Sequence, residues 1–92
     1  MRLKPRDFSI EQAMKEKLKK LYKKDRKTYD ATMKKIEEIV TSEDIERYKN
    51  LRNPLQALKR VHIMKSFVMI FKYEKSKDHV KFYDFGHHDK IY

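Results

Sequence analysis

The sequence contains no cysteine and no tryptophan, a single glycine and two prolines. Without cysteine the chain can form neither disulfide bonds nor thiolate zinc sites, which fits the reducing cytoplasm where we expect the protein. One glycine excludes a glycine-rich phosphate-binding loop and argues against a flexible linker. The longest apolar run, Phe67 to Phe71, is far shorter than the roughly 20 residues of a membrane-spanning helix. We therefore expect no membrane segment and no signal peptide.

Positive charge is what the sequence has in abundance. Its 92 residues include 24 Lys+Arg and 14 Asp+Glu, which gives a formal net charge of +10 and a pI of about 9.8. This balance favours a polyanionic partner, whether nucleic acid, an acidic protein or an anionic membrane surface. The length predicts one domain over residues 1–92. A core of this size gives modest stability, to which a bound partner would add.

Two amphipathic helices are predicted in the first half of the chain. The first covers about 9–24, where Ser9 and Gln12 have the spacing of a capping box. Apolar residues recur there at helical spacing, at Ile10, Met14, Leu18 and Leu21. The second helix, capped by Asp25 or Thr28, repeats this spacing at Tyr29, Met33, Ile36 and Val40. The tight link between them predicts an antiparallel helical hairpin.

From residue 59 the apolar period changes to two, which is typical of strands. Alternation over Arg60 to Met64, a buried run from Phe67 to Tyr73, and alternation from Val80 to Gly86 predict three antiparallel strands. A hairpin turn is expected at 75–78, and residues 42–58 are expected to be mostly loop, tethered by leucines. Residues 2–4 are a possible edge strand limited by Pro5. The fold class predicted is α+β, with an N-terminal antiparallel helical hairpin packed on a small antiparallel sheet of three to four strands.

Two groups of residues could bind or react with a ligand. Alternation places Arg60, His62 and Met64 on the sheet face away from the helices, where they form either an anion site or an ordinary solvated strand face. Near the C-terminus, His87, His88 and Asp89 could hold a metal. Because neighbouring residues of an extended chain point in opposite directions, we expect no metal there. A charged chain end is the simpler interpretation.

Basic residues also cluster around the predicted loop, interleaved with Tyr48. They are Lys49, Arg52, Lys59, Arg60 and Lys65. Basic and aromatic groups together suit single-stranded RNA, through phosphate pairing and base stacking. A solvated lysine-rich surface accounts for the same composition.

Four short segments in this order resemble the RelE family, the toxins of type II toxin–antitoxin modules within the RelE/ParE superfamily. They are Leu51 to Leu55 (LRNPL), Arg60 to Ile63 (RVHI), Ser66 to Phe71 (SFVMIF) and Asp84 to Tyr92 (DFGHHDKIY). The His62 strand and the closing His88-x-x-x-Tyr92 are most similar to YafQ-type and archaeal RelE toxins. The resemblance implies a helical hairpin on one face of a sheet, an open basic face, and cleavage of mRNA, usually on the ribosome, without a metal or other cofactor.

The resemblance also implies roles for individual residues. His62 and His88 match two catalytic histidines, of which we assign His62 as base and His88 as acid; Arg60 would hold the phosphate, and Tyr92 would stack on a base. Phe67 matches an aromatic residue beside the site. The remaining basic residues are expected RNA or ribosome contacts, namely Lys49, Arg52, Lys59 and Lys65.

The sequence departs from the family pattern at four positions. Relatives often have Gly where this chain has Met64, and they have Asp where it has Ser66. They have Arg at the positions of Val68 and Asp84, so cations that would stabilise the transition state are missing. We therefore expect the ribosome to supply orientation, and free RNA to be cleaved poorly.

The resemblance implies a partner as well as an activity. A RelB-like antitoxin, acidic and helical, would wrap the toxin in a heterodimer or heterotetramer. Two alternatives remain: a ParE-like toxin that acts on DNA gyrase without cleaving RNA, and a non-enzymatic basic module that binds RNA or the ribosome. The pair of His62 and His88 favours the nuclease.

Overall fold

The computed structural model describes residues 2–52 and 54–90. It has two helices and four strands, and no helix in these described ranges is long and apolar enough to cross a membrane. The predicted α+β class and helical hairpin are confirmed. In chain order the elements are β1 (Asp7–Ile10), α1 (Gln12–Lys24), α2 (Arg26–Thr41), β2 (Lys59–Ile63), β3 (Phe67–Glu74) and β4 (His79–His87), with short 3₁₀ turns at Ile45–Arg47 and Lys75–Lys77.

The sheet has the strand order β1-β4-β3-β2. Strands β2, β3 and β4 form an antiparallel meander, as predicted, but β1 pairs with β4 in parallel. The sheet is therefore mixed, and the prediction of a purely antiparallel sheet was wrong. The edge strand also lies at Asp7–Ile10, after Pro5, instead of at residues 2–4.

The predicted capping box at Ser9 was wrong, because Ser9 lies in β1. Its hydroxyl is 2.9 Å from Nε2 of His79 on β4, and α1 begins after Glu11, whose side chain makes no capping hydrogen bond. The cap of α2 is as predicted. The Thr28 backbone N–H and hydroxyl both donate to the Asp25 carboxylate, at 3.1 and 2.7 Å. These two hydrogen bonds lower the pKa of Asp25 and satisfy the exposed start of the helix.

Both faces of the central strand β3 are covered. Its odd-numbered side chains, such as Met69 and Phe71, pack against the helices together with Met14, Ile36, Ile39 and Phe82. Its even-numbered Val68 and Ile70 face the other way and are covered by Leu51, Leu58 and Tyr83. The loop therefore crosses the second face, as the leucine tethers predicted. This explains why the Phe67 to Phe71 run is apolar without alternation.

The turn between β2 and β3 contains Met64 in the left-handed conformation, with φ of 59°. The strand ends at Ile63, so Met64 does not share a face with His62, and that expectation was wrong. Its Sδ atom lies 3.7 Å from the Thr28 hydroxyl, beside the start of α2. Glycine adopts this conformation without a steric penalty, which accounts for the glycine expected here from the family resemblance.

Candidate functional site

The surface of the sheet that faces away from the helices is called the open face below. His62 on β2 lies opposite Val68 on β3, and Val68 lies opposite Gly86 on β4. Two residues earlier on β2, Arg60 has the same orientation as His62. Arg60 lies opposite Ile70 on β3, and Ile70 lies opposite Asp84 on β4. Because Gly86 has no side chain, β4 carries no side chain on the open face in the row of His62. We call the backbone at Gly86 the bare strip.

His88 extends this arrangement one step beyond β4. Its backbone N–H donates to the Ser66 carbonyl at 2.9 Å, which continues the ladder between the strands. The ring of the preceding His87 lies 4.5 Å from the ring of Phe67 on the helix side. Strand β4 ends at His87, and His88 lies in the turn that follows. Ladder spacing puts the Cα atoms of His62 and His88 about 12 Å apart.

Both imidazoles are accessible. His62 and His88 are exposed, and Nδ1 of His88 lies 3.1 Å from Oδ1 of Asp89. The Asp89 carboxylate therefore lies beside one ring nitrogen of His88.

A basic groove lies at the outer edge of β2, with β3 between it and the strip at Gly86. Backbone hydrogen bonds from Arg60 to Lys49, 3.0 Å, and from Leu51 to Leu58, 2.9 Å, hold the loop beside the strand. The groove encloses about 530 Å³ and is lined by Lys49, Asn50, Leu51, Arg52, Leu55 and Arg60. Three of the predicted basic residues, Lys49, Arg52 and Arg60, therefore meet at one place. Lys65 is exposed in the β2–β3 turn, outside this lining.

Lys59 does not lie on the RNA-accessible surface that the sequence suggested. Its side chain is 5% exposed, and its ammonium contacts a carboxylate of Glu46 at 3.0 Å. The same ammonium donates to the Tyr48 carbonyl at 3.1 Å and to the Asn50 side chain at 3.0 Å. Lys59 is thus a structural residue that anchors the loop, and we withdraw it from the expected RNA contacts.

Tyr48 and Phe67 are also turned away from the open face. Tyr48 is buried and its hydroxyl donates to Glu38 at 2.5 Å; burial, and then this hydrogen bond, raise its pKa. The Phe67 ring stacks on Phe85, with centroids 6.3 Å apart, on the helix side of the sheet. Neither ring is available beside His62. Tyr92 lies outside the described residues.

An aromatic residue that the sequence did not single out lies on the open face instead. Asp84 pairs with Ile70 and Phe82 pairs with Phe71, so Tyr83 is an extra residue in β4, a β-bulge. Simple alternation would put Tyr83 on the same face as Phe85. Because of the bulge, Phe85 enters the helix-side core while Tyr83 covers the apolar residues of the open face. A bulge of this kind leaves no clear signal in one sequence.

The arrangement suits acid–base chemistry on an anion. Two exposed imidazoles can act as acid and base, and the guanidinium and ammonium groups of the groove can hold a phosphate. In residues 2–52 and 54–90 no group of three or more His, Asp or Glu side chains is placed to hold a metal ion.

Comparison with known proteins gives the family. No family model matches the chain. A protein of Methanocaldococcus jannaschii named "Putative toxin RelE4" is 51% identical over 75 residues, which cover 82% of this chain and 78% of that protein. An uncharacterized protein of Methanosarcina mazei is 42% identical over 85 residues, covering 92% and 96% of the two chains.

Solved structures share the fold at low sequence identity. The isolated Escherichia coli RelE toxin has a TM-score of 0.70 and 17% identity, covering 89% of this chain and 83% of that one. A metal-bound toxin from Helicobacter pylori has a TM-score of 0.75 and 16% identity, covering 95% and 99%. The RelBE2 toxin–antitoxin complex from Mycobacterium tuberculosis has a TM-score of 0.69 and 15% identity, covering 91% and 99%. With the sequence relatives, this shows that the chain belongs to the RelE family of type II toxin–antitoxin toxins.

Proposed function

We propose that this RelE-family toxin is an endoribonuclease that cleaves translated mRNA on the ribosome and thereby inhibits translation. The observation that supports it most is the position of His62 on the open face, with the exposed His88 just beyond the end of β4 and a groove lined by cations at the edge of β2. The reaction needs no metal, since RNA carries its own nucleophile in the 2′-hydroxyl.

The chemistry divides between the two histidines. His62 takes the proton of the 2′-hydroxyl, whose oxygen attacks the neighbouring phosphorus; His88 gives a proton to the departing 5′-oxygen. The P–O5′ bond breaks as the O2′–P bond forms, so the products are a 2′,3′-cyclic phosphate and a 5′-hydroxyl.

The groove would hold the RNA backbone. Arg60 lies two residues before His62 on the same strand face, so its guanidinium is well placed to bind the scissile phosphate. Lys49 and Arg52 line the same groove and would contact phosphates further along the strand, while Lys65 in the turn approaches from the His88 end. Contacts of this kind give little sequence choice and a steep dependence on salt.

The ribosome supplies what the site lacks. Val68 and Asp84 occupy positions where the family resemblance led us to expect arginine, and Asp84 is itself paired with Lys17, 2.7 Å away. With fewer cations around the phosphate, the rate depends more on how the RNA is held. Orientation of a bound strand is worth several kcal/mol, roughly 7–11 in favourable cases, and the ribosome provides it in the cytoplasm.

An antitoxin completes the proposed system. One of the matching structures is that of a toxin–antitoxin complex, and the net charge of +10 on this chain suits an acidic partner. We propose a RelB-like helical antitoxin that wraps the toxin and neutralises Arg52, Arg60 and Lys65, in a heterodimer or heterotetramer.

The experiment compares one purified mRNA incubated with the toxin in two tubes, with and without ribosomes programmed by that mRNA. Mapping of the new ends should show cleavage in the ribosome tube, with cyclic phosphate and 5′-hydroxyl termini. EDTA should leave the residual cleavage of free RNA unchanged. Equal cleavage in both tubes would remove the ribosome from the mechanism, and intact RNA in both would contradict the nuclease.

A further inference from the structure

We propose that Tyr83 is a base-stacking residue that binds an unpaired base next to the scissile phosphate. The inference deepens the proposed function, because it names what the site recognises besides phosphate. It depends on a feature that arises only in the folded chain, namely the bulge that places Tyr83 on the open face.

The ring lies across the sheet from the proposed catalytic residues. Tyr83 is the residue beside Asp84, which stands in the row of Ile70 and Arg60. Strand spacing puts the Cα atoms of Tyr83 and Arg60 about 10 Å apart, and those of Tyr83 and His62 about 13 Å apart. A nucleotide whose phosphate lies over the strip at Gly86 can therefore extend its base over β4.

The ring has a firm support and a charged neighbour. Beneath it lie Val68 and Ile70, which are 0% and 1% exposed. The Lys81 ammonium lies over the ring, 5.3 Å from its centroid, and is paired with Glu11, 2.8 Å away. A base that stacks on the exposed part of the ring would bring its phosphate within reach of this ammonium.

Tyr83 does more than cover the apolar residues below it. It stays partly exposed while Val68 and Ile70 are buried, and its hydroxyl makes no hydrogen bond to another described residue. A leucine would cover the same surface, as Leu51 and Leu58 do alongside. What the tyrosine adds is a flat aromatic surface beside a bare strip of sheet.

The test uses a series of 2′-O-methyl oligonucleotides, which lack the 2′-hydroxyl nucleophile. Each of them carries the fluorescent base 2-aminopurine at a different position. Stacking on Tyr83 should quench the fluorescence of one position. Tyr83→Leu should abolish this quenching and weaken binding about tenfold, because one base stack is lost; Tyr83→Phe should preserve both. The control is Tyr22→Leu, which removes an exposed tyrosine on α1. The guanidinium of Arg26 lies over the ring of that tyrosine, 4.0 Å from its centroid.

Each result is decisive for Tyr83. Equal binding and quenching in wild type and Tyr83→Leu, or equal losses in Tyr22→Leu, would overturn the inference, as would the absence of any quenching in wild type. Since the oligonucleotide cannot be cleaved, the result does not depend on nuclease activity. Binding that needs Tyr83, in a protein that cleaves no RNA, would leave the stacking residue in place and contradict only the proposed function.

Discussion

The Arg6 guanidinium donates a hydrogen bond of 3.0 Å from Nε to the Asp78 carboxylate, across 72 positions of the chain. The same carboxylate accepts from Arg2 at 2.9 Å and from the Tyr73 hydroxyl at 2.7 Å. Arg6 also donates to the Ser42 carbonyl just after α2. One carboxylate in the β3–β4 turn therefore joins the N-terminal segment, the sheet and, through Arg6, the end of the helical hairpin.

The first prediction concerns stability against pH. Hydrogen bonds from Arg2 and Tyr73 lower the pKa of Asp78 below its usual 3.8. Its contribution to stability is therefore present in full above about pH 4 and is lost as the pH falls through the lowered pKa. Asp78→Asn should melt a few degrees below wild type at pH 7. This gap should narrow below pH 4 in thermal unfolding followed by circular dichroism.

The control for this prediction is Asp30→Asn. Asp30 pairs with Arg26 on the surface of α2, at 3.3 Å, and both side chains are more than half exposed. Such a pair contributes little, so this variant should melt with wild type at every pH. A gap for Asp78→Asn that stays constant down to pH 2 would mean that the carboxylate charge is not what stabilises the turn.

The second prediction separates a structural lysine from a surface lysine. Lys59→Met should lower the free energy of unfolding by about 1–3 kcal/mol, because buried acceptors at Tyr48 and Asn50 lose their donor. Lys65→Met removes the same charge from an exposed turn and should change the free energy of unfolding by less than about 0.5 kcal/mol. Urea unfolding measures both values. If Lys59→Met were as stable as Lys65→Met, the loop would not depend on this anchor.

The third prediction concerns the left-handed residue in the β2–β3 turn. With φ of 59° at Met64, any residue with a Cβ atom is strained there by roughly 1–2 kcal/mol. Met64→Gly should therefore be more stable than Met64→Ala by about 1 kcal/mol in urea unfolding, since both lose the contact with Thr28 and only glycine relieves the strain. Equal stability of the two variants would show that the turn relaxes around the side chain.

Most of the fold could be predicted because its signals are local. Periodicity predicts both helices and the three-strand meander, and it narrows the cap of α2 to Asp25 or Thr28, of which the structure has Asp25. The parallel strand β1 was missed because its partner, β4, is some 70 residues away. The four residues of β1 carry no signal that shows whether Ser9 caps a helix or lies in a strand beside His79.

The candidate site was harder to predict because it depends on which way side chains point. Arg60 and His62 followed from alternation along β2. The same alternation puts Lys59 on the helix side. We nevertheless predicted an RNA contact for Lys59, because it is a basic residue in a basic cluster. Tyr83 could not be found by alternation, since a bulge reverses it between Tyr83 and Phe85. Polar interactions with distant residues and irregular pairing are properties of the folded chain.

The last prediction concerns catalysis by the two histidines. His62→Ala and His88→Ala should each reduce cleavage of ribosome-bound mRNA by about 10²-fold or more, the usual value of a general acid or base. His62 is exposed on β2, and His88 is exposed just beyond β4. Neither substitution should therefore lower the melting temperature by more than a degree or two. Cleavage is measured by primer extension, with growth arrest on expression as a second readout.

The matched control is His79→Ala. His79 is on β4 as well, but at the far end, where its ring contacts the Ser9 hydroxyl; its loss should leave the cleavage rate unchanged. The double variant His62→Ala/His88→Ala should be little worse than either single one, because the two proton transfers belong to one step. If all three single variants arrested growth and cleaved mRNA as wild type does, the two-histidine mechanism would be wrong. Cleavage would then depend on groups other than these two imidazoles, and Arg60 and the other cations of the basic groove would be tested next.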